Sequence, residues 1–466
     1  MSFRCRLTLL AALLLAGCGD SATEPGTGGN PATLYPYQVF YDSAVFRQRR
    51  DSLMQLLPAD AMAFVTTNDL YPRNGDESYE FRPSSTFFYL TGFEEPNAVA
   101  VIRRRPAPRS GSELIMFVEE RSATLVRWLG PVYGPQGVVE HFGADSGYGV
   151  GTWQAWLSVY VGSGAAQSVH ANLAENEAVM RSFDSLALST GAALDVRHVV
   201  DRMRGAKSAI EIEPTRRAVD VAVEAFDHAI RAAQPGMYEH EVQAILEYAA
   251  RLNGAPRLAF PTIVASGPNA LTLHYVANGR QMERGDLAII DFGVEYGYYT
   301  SDVTRTIPIG GVFSADRATL YDIVKAALDT VIASSRPGVT YTQLATLNRD
   351  VIVAGLVRAG VISGPASSVV SSGQYRLYMP AGLGHPAGLD NHDTWPQDAA
   401  NRALVEGTVI AYEPHVYLSA DDQTVAPRFR GLAARIEDVV LVTRTGHEVL
   451  SRALPTARAD IERMMR

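Results

Sequence analysis

Two aspartates in one predicted hairpin are the first residues of this chain that could do chemistry. Leu287 to Phe292 is an apolar run of strand length, and Tyr298 to Ile307 resumes with β-favouring residues after a glycine break. If the chain folds back about Tyr296-Gly297, Asp291 faces Asp302 across the hairpin. Like charges at directly opposed positions destabilise a sheet unless a cation lies between them. A divalent cation is the simplest remedy, and the alternative is a solvated hairpin with two surface aspartates.

Further candidate ligands lie closer to the C-terminus. His385 and His392 are seven residues apart around a glycine-rich turn, although a lone histidine is more often structural. Glu413 ends an apolar strand, where a buried carboxylate needs a partner. Arg435 and Glu437 are two residues apart in another strand and therefore share one face.

Together these blocks provide four carboxylates and an imidazole on the inward faces of adjoining strands, which is a donor set for two cations. A set rich in oxygen with one nitrogen suits manganese, or cobalt, iron or zinc, better than it suits a metal that selects thiolates.

Two domains must position these residues. Residues 37–200 show the pattern of an α/β domain, and residues 201–466 form a second domain that opens with a long amphipathic helix from about Glu211 to Ala233. The boundary falls near Asp201 to Lys207. In the first domain, strands are predicted at Ala61–Val65, Phe87–Leu90, Ala98–Ile102 and Glu113–Val118, and a helix at Val179–Leu188.

The second domain contains an internal repeat. Ala225, Asp227, Ile230 and Pro235-Gly236 recur 102 residues later as Ala327, Asp329, Ile332 and Pro337-Gly338, each time closing one helix before another begins. The repeat predicts two related halves, each pairing helices with a hairpin, around a central sheet. The alternative is two unrelated helix ends.

The N-terminus has the features of an export signal. Arg4 and Arg6 precede an apolar run of eleven residues from Leu7 to Gly17, which is too short to span a bilayer. Leu15 to Cys18 matches a bacterial lipobox, so residues 1–18 are predicted to be a lipoprotein signal peptide and residues 19–36 a flexible tether. An ordinary signal peptide with an incidental cysteine is the alternative. The predicted location is the cell envelope, with a lipid anchor on the outer side of the inner membrane or the periplasmic face of the outer membrane.

Composition excludes several classes of function. Cysteine occurs only at Cys5 and Cys18, so neither a disulfide nor a thiolate nucleophile is available to the mature domains. Nearly all of the 41 basic residues are arginines scattered along a chain of net charge -9, which argues against nucleic acid as a partner. A hydrophobic content of 47% and 466 residues are typical of a globular protein of two or three domains.

The order of these blocks resembles the Xaa-Pro aminopeptidase and Xaa-Pro dipeptidase (prolidase) group of pita-bread metallopeptidases, family M24. The resemblance covers nearly the whole mature chain, and Phe81-Arg82 with Tyr89 to Gly92 resembles the group's N-terminal domain, which methionine aminopeptidases lack. In the catalytic half, the matching blocks are Phe260 to Gly267 with His274, Asp291 to Gly293, Ser301 to Thr306, Gly384 to Asp393, Glu413-Pro414 and Arg435 to Asp438.

This resemblance implies an α+β protein with a creatinase/prolidase-like N-terminal domain and a pita-bread catalytic domain that has an internal pseudo-twofold repeat. It implies two divalent ions, with Asp302 and Glu437 as bridging ligands and Glu413 as the general base. It makes His274, His385 and His392 substrate-contacting residues and places Arg435 beside the bridging glutamate. The implied metal ligands are Asp291, Asp302, His385, Glu413 and Glu437.

The implied activity is hydrolysis of the N-terminal Xaa-Pro bond of peptides by a metal-activated water. Three alternatives remain: a prolidase that acts on dipeptides, a non-catalytic binding protein, and a creatinase-like hydrolase on the same fold. The expected partners are peptides with proline at the second position, and membrane contact is expected only through the lipid anchor. A homodimer or homotetramer is also open.

Five residues depart from the group's pattern. Ala381 stands where relatives commonly have the first histidine of His-Gly-x-x-His, and His415 follows Glu413-Pro414 where glycine is common. Pro386-Ala387 and Asn391 are also unusual. Because the implied ligands are all present, the departures bear on rate and substrate preference more than on metal binding.

Overall fold

The computed structural model describes residues 41–162, 168–172, 194–395, 401 and 403–466. The predicted signal peptide, the tether and the predicted helix at 179–188 lie outside these residues. Within the described ranges, no helix is both long and apolar enough to cross a membrane.

The N-terminal region is built on a mixed sheet in the order β6-β5-β4-β1-β7-β8, with apolar side chains packed on both of its faces. The strands predicted at 61–65, 98–102 and 113–118 are present as β1, β4 and β5. The described strands are β1 Ala61–Thr66, β2 Pro72–Asn74, β3 Glu77–Ser78, β4 Val99–Arg104, β5 Ser112–Val118, β6 Ser146–Gly149, β7 Ser168–Asn172 and β8 Leu194–Asp195, and the helices are α1 Ser43–Leu56, α2 Ser85–Thr91, α3 Ala123–Leu129, α4 Gly134–Phe142 and α5 Trp153–Gly162.

The strand predicted at Phe87–Leu90 is wrong, because these residues form helix α2. The Ser84 hydroxyl caps the helix by accepting from the Phe87 N–H, and Gly92 ends it in the left-handed conformation. All seven residues of the helix are buried. A short segment buried on every side shows no periodicity, so its apolar run resembles a buried strand.

The C-terminal region packs helices against several small antiparallel sheets, in the orders β10-β11-β14, β13-β12-β9, β15-β16-β19-β20 and β17-β18. Its helices are α6 Arg197–Arg204, α7 Ala209–Ala232, α8 Glu239–Leu252, α9 Ala315–Ser334, α10 Tyr341–Arg358, α11 Ala366–Ser371 and α12 Arg458–Met464. Its strands are β9 Arg257–Leu258, β10 Ile263–Ser266, β11 Leu287–Phe292, β12 Val294–Tyr296, β13 Tyr299–Thr300, β14 Val303–Pro308, β15 Gly384–Pro386, β16 Val409–Tyr412, β17 His415–Tyr417, β18 Ala433–Arg435, β19 Asp438–Val442 and β20 His447–Val449.

The predicted repeat is present as two halves of similar construction. Helices α7 and α8 precede the sheet of β11, and helices α9 and α10 precede the sheet of β16. Between the helices of each pair, Gly236 and Gly338 both have a φ of 92°. The Gly236 N–H donates to Met282 O at 2.8 Å, and the Gly338 N–H donates to Leu404 O at 3.0 Å. The same turn therefore ties each helix pair to the segment that leads into its central strand.

The N-terminal region contacts the C-terminal region next to the hairpin of β12 and β13. Arg82 Nε donates to Glu295 Oε1 at 2.5 Å, and the Tyr41 hydroxyl donates to Gly297 O at 2.8 Å. Arg49 pairs with Glu211 at the start of α7, with 3.3 Å between Nη2 and Oε1. These contacts fix the base of the segment that carries two of the predicted ligands.

Candidate metal centre

The five predicted ligands converge on one place. Their ligand atoms, with those of His392, form three overlapping groups in which all atoms lie within 4.8 Å of one another. Asp302, Glu437 and His385 each belong to two groups, and for the two carboxylates, which have two oxygens each, this is the arrangement that a bridging ligand needs. The groups are Asp291-Asp302-Glu437, His385-Glu413-Glu437 and Asp302-His385-His392.

The hairpin that carries the two aspartates differs from the predicted one in its register. Asp291 pairs with Thr304, and the turn is Gly297-Tyr298. The φ angles of the turn residues are 55° and 69°, as in a type I′ turn. The predicted direct pairing of Asp291 with Asp302 is therefore wrong, because the turn lies one residue further along than Tyr296-Gly297.

The two carboxylates still meet, because the error in register is an even number of residues. Successive side chains on a strand alternate between faces, so a shift of two residues leaves each side chain on its original face. Asp302 immediately precedes β14 and approaches Asp291 diagonally.

Gly293, which follows β11, allows this close approach. A Cβ atom at this position would lie 2.0 Å from Ser301 O, closer than any side chain could be accommodated. The absence of a side chain lets the two strands stay paired beyond Phe292, with the Ser301 N–H donating to Val294 O at 2.9 Å. The chain thereby holds Asp302 against the centre.

Glu413 and Glu437 are held by hydrogen bonds of their own main chain. The Glu413 N–H donates to Leu383 O at 2.8 Å, and the Glu437 N–H donates to Thr304 O at 3.0 Å. The Thr304 hydroxyl also donates to Glu437 Oε2 at 2.8 Å. Thr304 was not among the predicted site residues, although strand alternation from Asp302 places it on the same face.

His385 presents one ring nitrogen to the centre. Its Nδ1 lies 3.1 Å from Pro386 O, which fixes the proton on Nδ1. Its Nε2 lies 3.2 Å from Asp302 Oδ2 and 3.8 Å from Glu437 Oε1. An imidazole that donates from one nitrogen to a carbonyl and offers the other to the site is the usual arrangement of a metal-binding histidine.

The carboxylates repel one another in a buried place. Burial, followed by the charge of neighbouring carboxylates, raises the pKa of both Asp302 and Glu437 well above the usual range. Burial also raises the pKa of Glu413, although Arg435 and His385 act in the opposite direction. A positive charge among these groups would therefore favour their ionised forms.

A cation would satisfy the oxygens that the chain leaves unpaired. Asp291 Oδ1, Asp302 Oδ1 and Glu437 Oε1 are buried and have no hydrogen-bond partner. Buried polar atoms are nearly always paired in proteins, and an exception needs a physical reason. Oxygen atoms that face one another with one imidazole nitrogen fit a divalent cation.

Arg435 lies behind Asp291. Its guanidinium is buried, donates from Nη2 to Asp291 Oδ2, and donates from Nη1 to the Tyr417 hydroxyl at 2.9 Å. The arginine therefore orients the outer oxygen of Asp291 and leaves Oδ1 directed to the centre.

His392 and His274 lie on the open side of the centre. The ring of His392 packs on that of His385, with 3.8 Å between centroids. Burial, with the nearby His385 and His274, lowers the pKa of His392 to about 4. His392 is therefore neutral at pH 7 and can donate from one ring nitrogen. His274 is exposed, where a substrate could reach it.

The loop of His392 is fixed by ion pairs to α6 and the residues after it. Arg204 Nη2 donates to Asp390 Oδ2 at 2.6 Å and also pairs with Asp393, and Lys207 Nζ lies 3.0 Å from Asp393 Oδ2. Between these anchors, Asn391 Nδ2 donates to Asp302 Oδ2 at 2.9 Å. The unusual Asn391 thus contacts a predicted ligand, which its position beside His392 did not reveal.

Comparisons with known proteins identify related families and relatives along nearly the whole chain. The model of Metallopeptidase family M24 matches residues 213–444, and that of the Aminopeptidase P N-terminal domain matches residues 46–169. The chain is 32% identical to the Xaa-Pro aminopeptidase of Escherichia coli over 90% of its own length and 97% of the relative's. It is 30% identical to human Xaa-Pro aminopeptidase 3, covering 95% of this chain and 90% of that protein.

Solved structures show the same fold. Zn-substituted E. coli aminopeptidase P in complex with product is similar with a TM-score of 0.85 and 30% identity, over 91% of this chain and 98% of that one. Proline aminopeptidase P II from Yersinia pestis is similar with a TM-score of 0.87 and 28% identity, over 91% and 99% of the two chains. The chain therefore belongs to metallopeptidase family M24, in its Xaa-Pro aminopeptidase group.

Proposed function

We propose that this enzyme removes the N-terminal residue from peptides that have proline at the second position. The observation that carries the proposal is the cluster of five predicted ligands, in which three buried carboxylate oxygens lack a partner. The relatives that match nearly the whole chain are named Xaa-Pro aminopeptidases. The resident cofactor is proposed to be a pair of manganese ions, with cobalt, iron or zinc as alternatives that the same donor set accepts.

The proposed ligands are Asp291, Asp302, His385, Glu413 and Glu437, with Asp302 and Glu437 shared between the two ions. When bound, such a pair of cations supplies an activated water and polarises the scissile carbonyl. The residues of the chain then have to orient the substrate and accept a proton.

Glu413 is proposed to accept the proton of the attacking water. Its carboxylate lies at the centre, with its main chain held through Leu383 and its pKa raised by burial. A raised pKa makes a carboxylate a better proton acceptor in the step that forms the new bond. Arg435 is proposed to hold Asp291 in place through the hydrogen bond from Nη2 to Oδ2, on the other side of the centre from Glu413.

His274 and His392 are proposed to hold the peptide carbonyl. A neutral His392 donates one N–H to an oxygen, and that bond strengthens as negative charge develops on the oxygen. His385 is proposed to act on the substrate indirectly, by supporting the ring of His392 on which it packs. A bond that precedes proline has no N–H, so the enzyme must recognise the ring by its shape.

The test is a comparison of three peptides with the manganese-loaded full chain. An Xaa-Pro-Xaa tripeptide should be cleaved faster than the matching Xaa-Pro dipeptide, and an Xaa-Ala-Xaa tripeptide should be cleaved least. Turnover of the dipeptide alone would instead identify a prolidase. Absence of turnover with a full metal content would point to a binding protein.

We also propose that the protein is a lipid-anchored component of the bacterial cell envelope, based on Arg4, Arg6, the apolar run and Cys18. Changing Cys18 to Ser should leave the chain unprocessed or move it from the membrane fraction to the soluble fraction, because lipidation requires the thiol. Immunoblots of the two fractions measure the change, and unaltered membrane partitioning would remove the anchor. Light scattering on the released protein measures whether it is a monomer, a dimer or a tetramer.

A further inference from the structure

His415 lies directly behind Glu413, and metal binding does not explain its presence. Its side chain is buried, with 1% exposure. Its Nδ1 lies 2.9 Å from Glu413 O, and its Nε2 lies 3.3 Å from the main-chain nitrogen of Ala381. The ring thus connects two segments of the chain, and each segment carries a predicted metal ligand.

The hydrogen bonds determine how the ring acts. A main-chain N–H can only donate, so His415 Nε2 accepts from Ala381 and carries no proton. The proton is therefore on Nδ1, which donates to the carbonyl of Glu413. Both bonds are satisfied by one neutral tautomer.

The Glu413 residue is consequently held at both of its main-chain polar groups. Its N–H donates to Leu383 O at 2.8 Å, and its C=O accepts from the His415 ring. Leu383 and Ala381 belong to the segment that leads into His385, so the imidazole adds a second link between that segment and Glu413.

The same ring also lies beside the support of Asp291. It packs edge-on against Tyr417, with 5.5 Å between ring centroids, and the Tyr417 hydroxyl accepts from Arg435 at 2.9 Å. In the β17–β18 ladder, His415 is paired with Arg435 itself. His415 therefore contacts the main chain of Glu413 in the second half of the catalytic domain, and also Tyr417, which helps to hold Arg435 against Asp291 of the first half.

We propose that His415 is a positioning residue, which sets the orientation of Glu413 through its carbonyl and fixes the segment of Ala381 relative to it. The inference rests on the proposed function, because it assigns Glu413 to the metal centre. The side chain of Ala381 is a methyl group and cannot form a hydrogen bond to Glu413. In this chain the imidazole of His415 makes the connection instead, by accepting from the main-chain N–H of Ala381.

The test measures manganese affinity, kcat and KM in variants of the full-length protein. His415→Phe keeps an aromatic ring but removes both hydrogen bonds, and it should weaken manganese binding and lower kcat by about 10- to 100-fold, the usual effect of losing an outer-shell partner. KM should change less than about threefold, because the ring does not touch substrate. His415→Asn and His415→Gln each keep one of the two bonds and should give intermediate losses.

The matched control is His447→Phe. His447 Nδ1 also bonds a main-chain carbonyl, that of Ser335 at 3.0 Å, but on β20 and away from the centre. This variant should change thermal stability without changing manganese affinity or kcat.

Wild-type affinity and kcat in folded His415→Phe would overturn the proposal. If His415→Phe fails to fold, the test rests on His415→Asn and His415→Gln. Wild-type manganese affinity and kcat in both of these variants would also overturn the proposal. Failure of the proposed function is distinct, since the wild-type chain itself would then bind no cation or cleave no Xaa-Pro peptide.

Discussion

The two halves of the catalytic domain begin alike and end differently. Each has a helix pair followed by three antiparallel strands, β10-β11-β14 in the first half and β15-β16-β19 in the second, and β20 adds a fourth strand to the second sheet. In each half a carboxylate lies at or just after the C-terminal end of the middle strand, Asp291 on β11 and Glu413 after β16.

The two halves differ in the strand that lies beside the middle strand and precedes it in sequence, which is β10 in the first half and β15 in the second. β10 has the sequence Ile-Val-Ala-Ser and contributes no candidate ligand, whereas β15 carries His385. The first half provides only oxygen, and the second provides the nitrogen and the proposed base. The repeated backbone therefore sets where a carboxylate can lie, while the side chains of each half decide what that carboxylate does.

Glu413→Gln gives the largest expected effect on this comparison. Glutamine keeps the shape and one oxygen but cannot accept a proton, so kcat should fall by about 10²- to 10⁴-fold, the usual contribution of a general base. The fold and part of the metal content should persist. Asp291→Asn, the matched change in the first half, should act mainly by reducing manganese affinity. If Glu413→Gln kept a wild-type kcat with full metal content, Glu413 would be a ligand only.

Asp302→Ala tests the link between the halves. A ligand shared by two ions serves both, so its loss should reduce the occupancy of both positions from about two ions per chain. Elemental analysis after dialysis into manganese measures this. Asp350→Ala, on the exposed face of α10, is the control and should keep the wild-type content. A wild-type content near zero would contradict both the site and the mechanism.

The raised carboxylate pKa values should make the metal-free protein lose stability as the pH rises. The pKa values of Asp302 and Glu437 are raised by burial and by neighbouring carboxylates, so the folded chain binds more protons than the unfolded chain. Stability then decreases with rising pH above the ordinary carboxylate pKa of about 4. Burial lowers the pKa of His392 and His415 to about 4. These two histidines therefore make stability increase with rising pH, but only below about pH 7, where the unfolded chain still binds their protons.

Thermal melts of the metal-free chain from about pH 5 to 8.5 measure this slope, and the difference from Asp302→Asn at each pH separates it from the contribution of the histidines. Manganese should remove most of it by stabilising the ionised carboxylates, and Asp302→Asn should make it shallower. A slope that is equal in all three samples would show that these carboxylates titrate normally.

Ala381→His should have the smallest effect, an increase in kcat/KM of less than about tenfold. Ala381 is exposed beside the centre, so an imidazole there could reach a substrate carbonyl. Ala381→Gln controls for the size of the side chain. An unchanged kcat/KM would mean that this chain has reorganised its site around His392 and His415.

The convergence of the five predicted ligands could be anticipated from the sequence. Each of them lies in a short block whose residue types by themselves indicate a metal ligand, and the five are Asp291, Asp302, His385, Glu413 and Glu437. Strand alternation then predicts the face of each side chain, and an error of two residues in register does not change that face. The helix at Phe87–Leu90 could not be anticipated, since its cap and its burial on all sides depend on the surrounding domain.

By itself, the sequence determined the family, the two-domain organisation and the candidate ligands, because these follow from residue types and their order along the chain. Only the tertiary structure decided the hairpin register, the contact of Asn391 with Asp302 and the place of His415 between Ala381 and Glu413. The reason is physical: these features depend on left-handed φ angles at a turn and on contacts between segments far apart in the chain, neither of which leaves a periodic pattern in the sequence.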